Sequence, residues 1–72
     1  MTKPTMKSEV ALDTASENYR VIYFYGTPDA ADEFREFGHV GPWAYENQYC
    51  LTVDARFDFG EVLAHVVNYG KA

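Results

Sequence analysis

Seven residues, Tyr19-Arg20-Val21-Ile22-Tyr23-Phe24-Tyr25, form an almost unbroken β-branched and aromatic run closed by Gly26, and this run constrains the fold more than any other stretch. It reads as a central strand with neighbours on both sides. Successive side chains alternate between faces, so Ile22 and Phe24 share one side while Tyr19, Val21, Tyr23 and Tyr25 share the other. Neither side is plainly polar. Thr27 then suits an N-cap and Pro28 the first helical position, where its missing N–H costs nothing and its fixed φ is already helical. A helix is predicted from there to Phe37, with Gly38 as its stop.

Within that helix Ala30, Phe34 and Phe37, with Ala31 at the edge, fall on the spacing of a core-facing stripe. Asp29, Asp32, Glu33 and Glu36 fall at i, i+3, i+4 and i+7 on the opposite side, interrupted only by Arg35. The first-turn acids gain from the helix dipole. The pairs 29/33 and 32/36, however, repel at the spacing where opposite charges would help. The stripe is therefore either a solvated face or a patch held negative for a basic partner.

The chain is 72 residues long, which gives one domain near the lower end of what folds without staples. Eleven acidic residues against six basic ones give a net charge of −5. That balance argues against direct binding to nucleic acid or to an anionic membrane surface. Cys50 is the single cysteine, so no internal disulfide forms. With no apolar N-terminal segment, the expectation is a soluble, cytoplasmic protein.

In order along the chain, residues 1–7 read as a flexible N-terminal tail and 8–72 as a single α+β domain. Ser8 to Asp13 alternates as an edge strand with Val10 and Leu12 buried, and Thr14 to Asn18 is a polar turn into the Tyr19 run. Gly38 to Asn47 reads as an irregular connection holding Trp43 and Tyr45. Gln48 to Asp54 is the third strand, with Tyr49, Leu51 and Val53 on the core side and Cys50, Thr52 and Asp54 opposite. It is expected parallel to the Tyr19 strand through a right-handed crossover. Asp58 as N-cap, Glu61 three residues on and a Phe57 to Val62 staple start a second helix, whose buried face is Phe59, Val62, Leu63, Val66 and Tyr69 and whose stop is Gly70. The predicted fold is a two-layer α+β domain, β-β-α-β-α, with a three-stranded sheet and two helices on one face.

No spacing in the sequence points to catalysis. Cys50 faces away from the helices with no motif linking it to His39 or His65, and so reads as an inert thiol. The two histidines, with Asp54 or Asp58, lack a closely spaced metal-ligand pair, and no glycine-rich turn leads into a helix to cradle phosphate. The expectation is therefore no enzyme, no cofactor and no metal, which leaves binding. Two surfaces compete for it: the acidic helix face, and the sheet side carrying Tyr19, Tyr23 and Tyr25. Trp43 either folds back as core, which the shortness of the chain favours, or serves as an anchor for a partner.

In size, acidity, the stripe Asp29, Asp32, Glu33 and Glu36, and the lack of catalytic machinery, the chain resembles the small acidic inhibitors encoded by phages and mobile elements, including anti-CRISPR proteins. That resemblance implies a stoichiometric blocker of a basic, nucleic-acid-binding channel on a CRISPR surveillance complex or another DNA-handling protein. The alternatives are a protein-interaction or accessory subunit that uses the tyrosine face, as monomer or homodimer, and a small enzyme with an unrecognised site. The expected partner-binding residues are Asp29, Asp32, Glu33, Glu36, Tyr23, Tyr25 and Trp43.

Overall fold

The structure is a computed structural model that describes residues 10–69. The expected tail, and the roles given to Ser8, Glu9 and Gly70, lie outside the described residues. The elements run β1 (Ala11–Ser16), β2 (Val21–Tyr25), α1 (Pro28–Phe34), a 3-10 turn (Arg35–Phe37), β3 (Gly38–Pro42), β4 (Gln48–Val53) and α2 (Phe59–Tyr69). The α+β class and the two helices match the sequence reading. The sheet has four strands rather than three, and its order is β1-β2-β4-β3 with every neighbouring pair antiparallel.

The correction traces to the stretch Gly38-His39-Val40-Gly41-Pro42, read from sequence as a connection. It is β3, an edge strand paired to β4 from Gly38↔Val53 to Pro42↔Tyr49. A crossover through α1 does exist, because β2 and β3 run parallel. The chain then turns back at residues 43–47, so that β4 fills the gap between them. The Tyr19 and Tyr49 runs are thus antiparallel neighbours, with Ile22 opposite Leu51 and Phe24 opposite Tyr49.

Local signals explain the helix starts. The Thr27 hydroxyl oxygen accepts from the Ala30 N–H at 3.2 Å, with Pro28 at the first helical position. Asp58 Oδ2 accepts from the Glu61 N–H at 3.0 Å, and its carbonyl takes the Val62 N–H. Phe57, the expected staple, lies edge-on to Phe37 with ring centres 5.4 Å apart and shares a shallow groove with Val62.

The first helix is shorter than its periodicity predicts. It gives way to the 3-10 turn after Phe34 because the chain must enter β3 at once, and the Phe37 carbonyl accepts from the Asp54 N–H at 2.8 Å. Gly38 makes that approach possible. A Cβ there would overlap the Thr52 carbonyl oxygen and stand 2.9 Å from the Asp54 nitrogen, atoms of a paired strand that cannot step aside.

One face of the sheet is the core. Ile22, Phe24, Val40, Leu51 and Val53 from the strands are buried against Ala30, Ala31 and Phe34 of α1 and Phe59, Val62 and Val66 of α2. Phe24 is at its centre, edge-on to Phe34 at 5.1 Å and stacked with Tyr49 at 5.5 Å. Each fully buried ring or branched chain contributes about 1.5–3 kcal/mol by transfer from water.

The edge strand differs in detail from its expected form. Among the described residues β1 runs from Ala11 to Ser16, Leu12 is 42% exposed where burial was expected, and the register slips between Leu12 and Thr14, leaving Asp13 as the extra residue of a bulge. Tyr19 falls in the turn between β1 and β2 and is 78% exposed, not part of the strand.

Candidate functional site

Two surfaces remain once the core is assigned. The first is acidic. Asp29, Asp32, Glu33 and Glu36 are all exposed along α1 and the 3-10 turn. Two of the four also have internal partners, which the sequence did not reveal. Asp32 Oδ1 accepts from Arg35 Nε at 3.1 Å, an exposed pair that adds little stability. The Tyr69 hydroxyl on α2 donates to the Glu33 carboxylate, and burial first, then the charge and hydrogen bond of Glu33 and the charge of Asp29, hold the phenol above its ordinary pKa. The expected 29/33 repulsion is thus partly compensated, and the 32/36 pair spans the change to 3-10 geometry.

The guanidiniums are committed to internal acceptors. Arg20, held at φ 57°, donates to the carbonyls of Val53, Asp54 and Phe57 and ties the end of β4 to the approach of α2. Arg35 also donates to the Val40 carbonyl at 3.1 Å. Arg56 pairs with Asp54 at 3.6 Å and lies over the Phe57 ring at 5.0 Å. These three are the basic residues among the described ones, set against ten carboxylates. Nothing in the sequence marked the arginines as structural, because each of their acceptors except Asp32 and Asp54 is a backbone carbonyl.

The second surface is the sheet face that the described helices leave uncovered. Strand alternation places Val21, Tyr23 and Tyr25 of β2, Cys50 and Thr52 of β4, and His39 of β3 on it. Trp43 joins them, its N–H donating to the Gln48 carbonyl at 2.9 Å as the β3–β4 hairpin closes. It is 55% exposed, with its ring centre 5.2 Å from that of Tyr23. The expectation of a core tryptophan is therefore overturned. The period of two that turns Val40 inward turns positions 39, 41 and 43 outward.

This face is organised by Gln48, which sequence reasoning passed over. The residue is only 4% exposed. Gln48 Nε2 donates to Asp13 Oδ2 at 2.8 Å, and Oε1 accepts from the Tyr45 N–H at 3.1 Å. One carboxamide thereby links the β1 bulge to the hairpin loop across β2. Beside it, burial raises the Cys50 thiol pKa, with hydrogen bonds from Thr52 and Tyr23 opposing that rise only in part. A thiol so placed stays protonated at neutral pH and is a poor nucleophile.

A shallow groove of about 290 Å³ lies between the 3-10 turn and α2, lined by Phe37, Phe57, Asp58, Glu61, Val62 and His65. Its Asp58 caps α2, and the His65 ring rests on Phe37 at 5.1 Å. Among the described residues no three histidine, cysteine or carboxylate groups converge to hold a metal ion, and no helix is long and apolar enough to cross a membrane. Compared with known protein families, characterised proteins and solved structures, the chain finds no match.

Proposed function

We propose that this chain is a non-catalytic acidic binding protein that occupies a basic, nucleic-acid-binding site on a partner protein. The observation that carries the reading is the excess of exposed acid on one face. Arg20 and Arg56 are turned onto the protein's own carbonyls, Asp54 and the Phe57 ring, and Arg35 offsets only Asp32 within the stripe, while Asp29, Asp32, Glu33 and Glu36 are all exposed. A surface of one sign steers association with a surface of the other. A channel built to bind phosphates offers the complementary lysines and arginines, and carboxylates there compete with the nucleic acid for them. The class of target is a DNA-handling protein, with a CRISPR surveillance complex among the candidates.

The test is a pull-down from host lysate with the full chain and with the triple variant Asp29→Asn, Asp32→Asn, Glu36→Gln, which spares Glu33 and its contact with Tyr69. Binding of the captured protein should weaken steeply with added salt and be lost in the variant, and the wild-type chain should displace DNA from that partner. Binding that survives both high salt and neutralisation of the three acids would remove the reading.

A further inference from the structure

We infer that the uncovered sheet face is a self-association surface, on which a second copy of this chain packs sheet to sheet around Tyr23 and Trp43. The inference goes beyond the acidic face and uses none of its residues. Electrostatics selects the occupant. Of the ten described carboxylates only Asp13 lies within a strand of the sheet, and its oxygen already accepts from Gln48. The other nine lie in the helices, the turns and the loops.

A charged partner would therefore find little opposing charge on the described strands beyond that carboxylate. A second copy meets an equally neutral sheet and directs the exposed Asp29, Asp32, Glu33 and Glu36 of its helix side away. The pairing is isologous, the same patch on both copies. It stacks two sheets roughly 10 Å apart with the helices outermost.

Area sets the strength. Four strands spaced about 4.8 Å apart and about 18 Å long present roughly 350 Å² in projection. With side-chain relief included, a face-to-face pair buries on the order of 1,000 Å² in total, the low end of specific interfaces. The dimer is accordingly weak, with a dissociation constant on the order of 10 μM. The Gln48 bridge pre-organises the hairpin that carries Trp43, so little ordering is left to be done on association.

The test is sedimentation equilibrium of the full chain from about 1 μM to about 1 mM, at low and at high salt. The expected result is a mass that rises from one copy to two across that range, with a midpoint that salt does not move upward. Thr52→Arg, which puts a charge at the middle of the face, should abolish the dimer. Trp43→Ser should raise its dissociation constant at least tenfold, with unchanged far-UV circular dichroism. Neutralising Asp29, Asp32 and Glu36 should leave it intact, so failure of this inference and failure of the acidic-face reading are told apart. A single-copy mass at every concentration would overturn the inference, as would a dimer indifferent to both Thr52→Arg and Trp43→Ser or one that salt dissolves.

Discussion

The two faces of this sheet are made by the same strands and held by different forces. On the helix side Phe24 meets Phe34 and Tyr49, and Ile22, Leu51 and Val66 are fully buried, so position is set by exclusion of water and by ring packing. On the other side Tyr23 and Trp43 touch each other but remain accessible, and position is set by a few hydrogen bonds that converge on Gln48. Stability accordingly resides on the first face. The second is fixed in shape without carrying the fold, which leaves it free for recognition.

The largest expected contrast comes from removing one ring on each side. Phe34→Ala should cost about 3–5 kcal/mol, comparable with the whole stability of a small domain at about 5 kcal/mol. Urea titration followed by circular dichroism should find that chain largely unfolded in buffer. Trp43→Ala removes a larger ring and should cost less than about 1 kcal/mol. Equal losses for the two variants would erase the distinction between the faces.

Next in size is the joint between α1 and the sheet edge. Gly38→Ala forces a Cβ into the Thr52 carbonyl and should lower stability by about 1–3 kcal/mol or more, read as a drop in melting temperature. An unchanged melting temperature would mean that β3 can enter the sheet without this close approach at its first pair, Gly38 opposite Val53.

Gln48→Ala probes what fixes the open face. It strands the Tyr45 N–H and the Asp13 carboxylate and should cost about 1–3 kcal/mol. It should also speed amide exchange at Tyr45 and Trp43 more than in α2. Uniform acceleration would mean that the carboxamide holds up the whole fold rather than the hairpin.

The smallest effect is on pH dependence. Tyr69 on the helix side and Cys50 on the open side both have pKa values raised chiefly by burial, so the folded state holds these protons more tightly than the unfolded chain does. The stability this adds is fully present below the unfolded values, about 8.5 for the thiol and about 10 for the phenol. It is lost as pH rises through the raised folded ones. Melting temperature should therefore fall in the alkaline range, and Tyr69→Phe combined with Cys50→Ser should flatten that fall.

The sequence was legible where structure is decided locally. Thr27 with Pro28, and Asp58 with Glu61, mark helix starts by capping chemistry within four residues; the Tyr19 to Tyr25 run reads as a strand from its β-branched and aromatic residues and the Gln48 to Asp54 run from its alternation, and the strands formed are Val21–Tyr25 and Gln48–Val53. β3 was not legible, because its five residues include two glycines and a proline and only Val40 is apolar. It becomes a strand by pairing with β4.

From that omission came the misplaced Trp43, whose direction follows from the register of a strand the sequence does not announce. The open tyrosine face could be foreseen from the alternation of β2. The roles of Gln48, Asp13 and Arg20 could not, since their partners lie 33 to 37 positions away along the chain or on backbone atoms with no sequence signature.

The most direct test of the two-face account is the intrinsic fluorescence of Trp43, the single tryptophan of the chain, recorded in dilute and in concentrated protein. At low concentration the emission should lie toward the red and be readily quenched by acrylamide. As copies associate it should move to the blue and resist quenching. A blue, poorly quenched signal at the lowest concentration would place Trp43 in the core of the single chain and contradict the account.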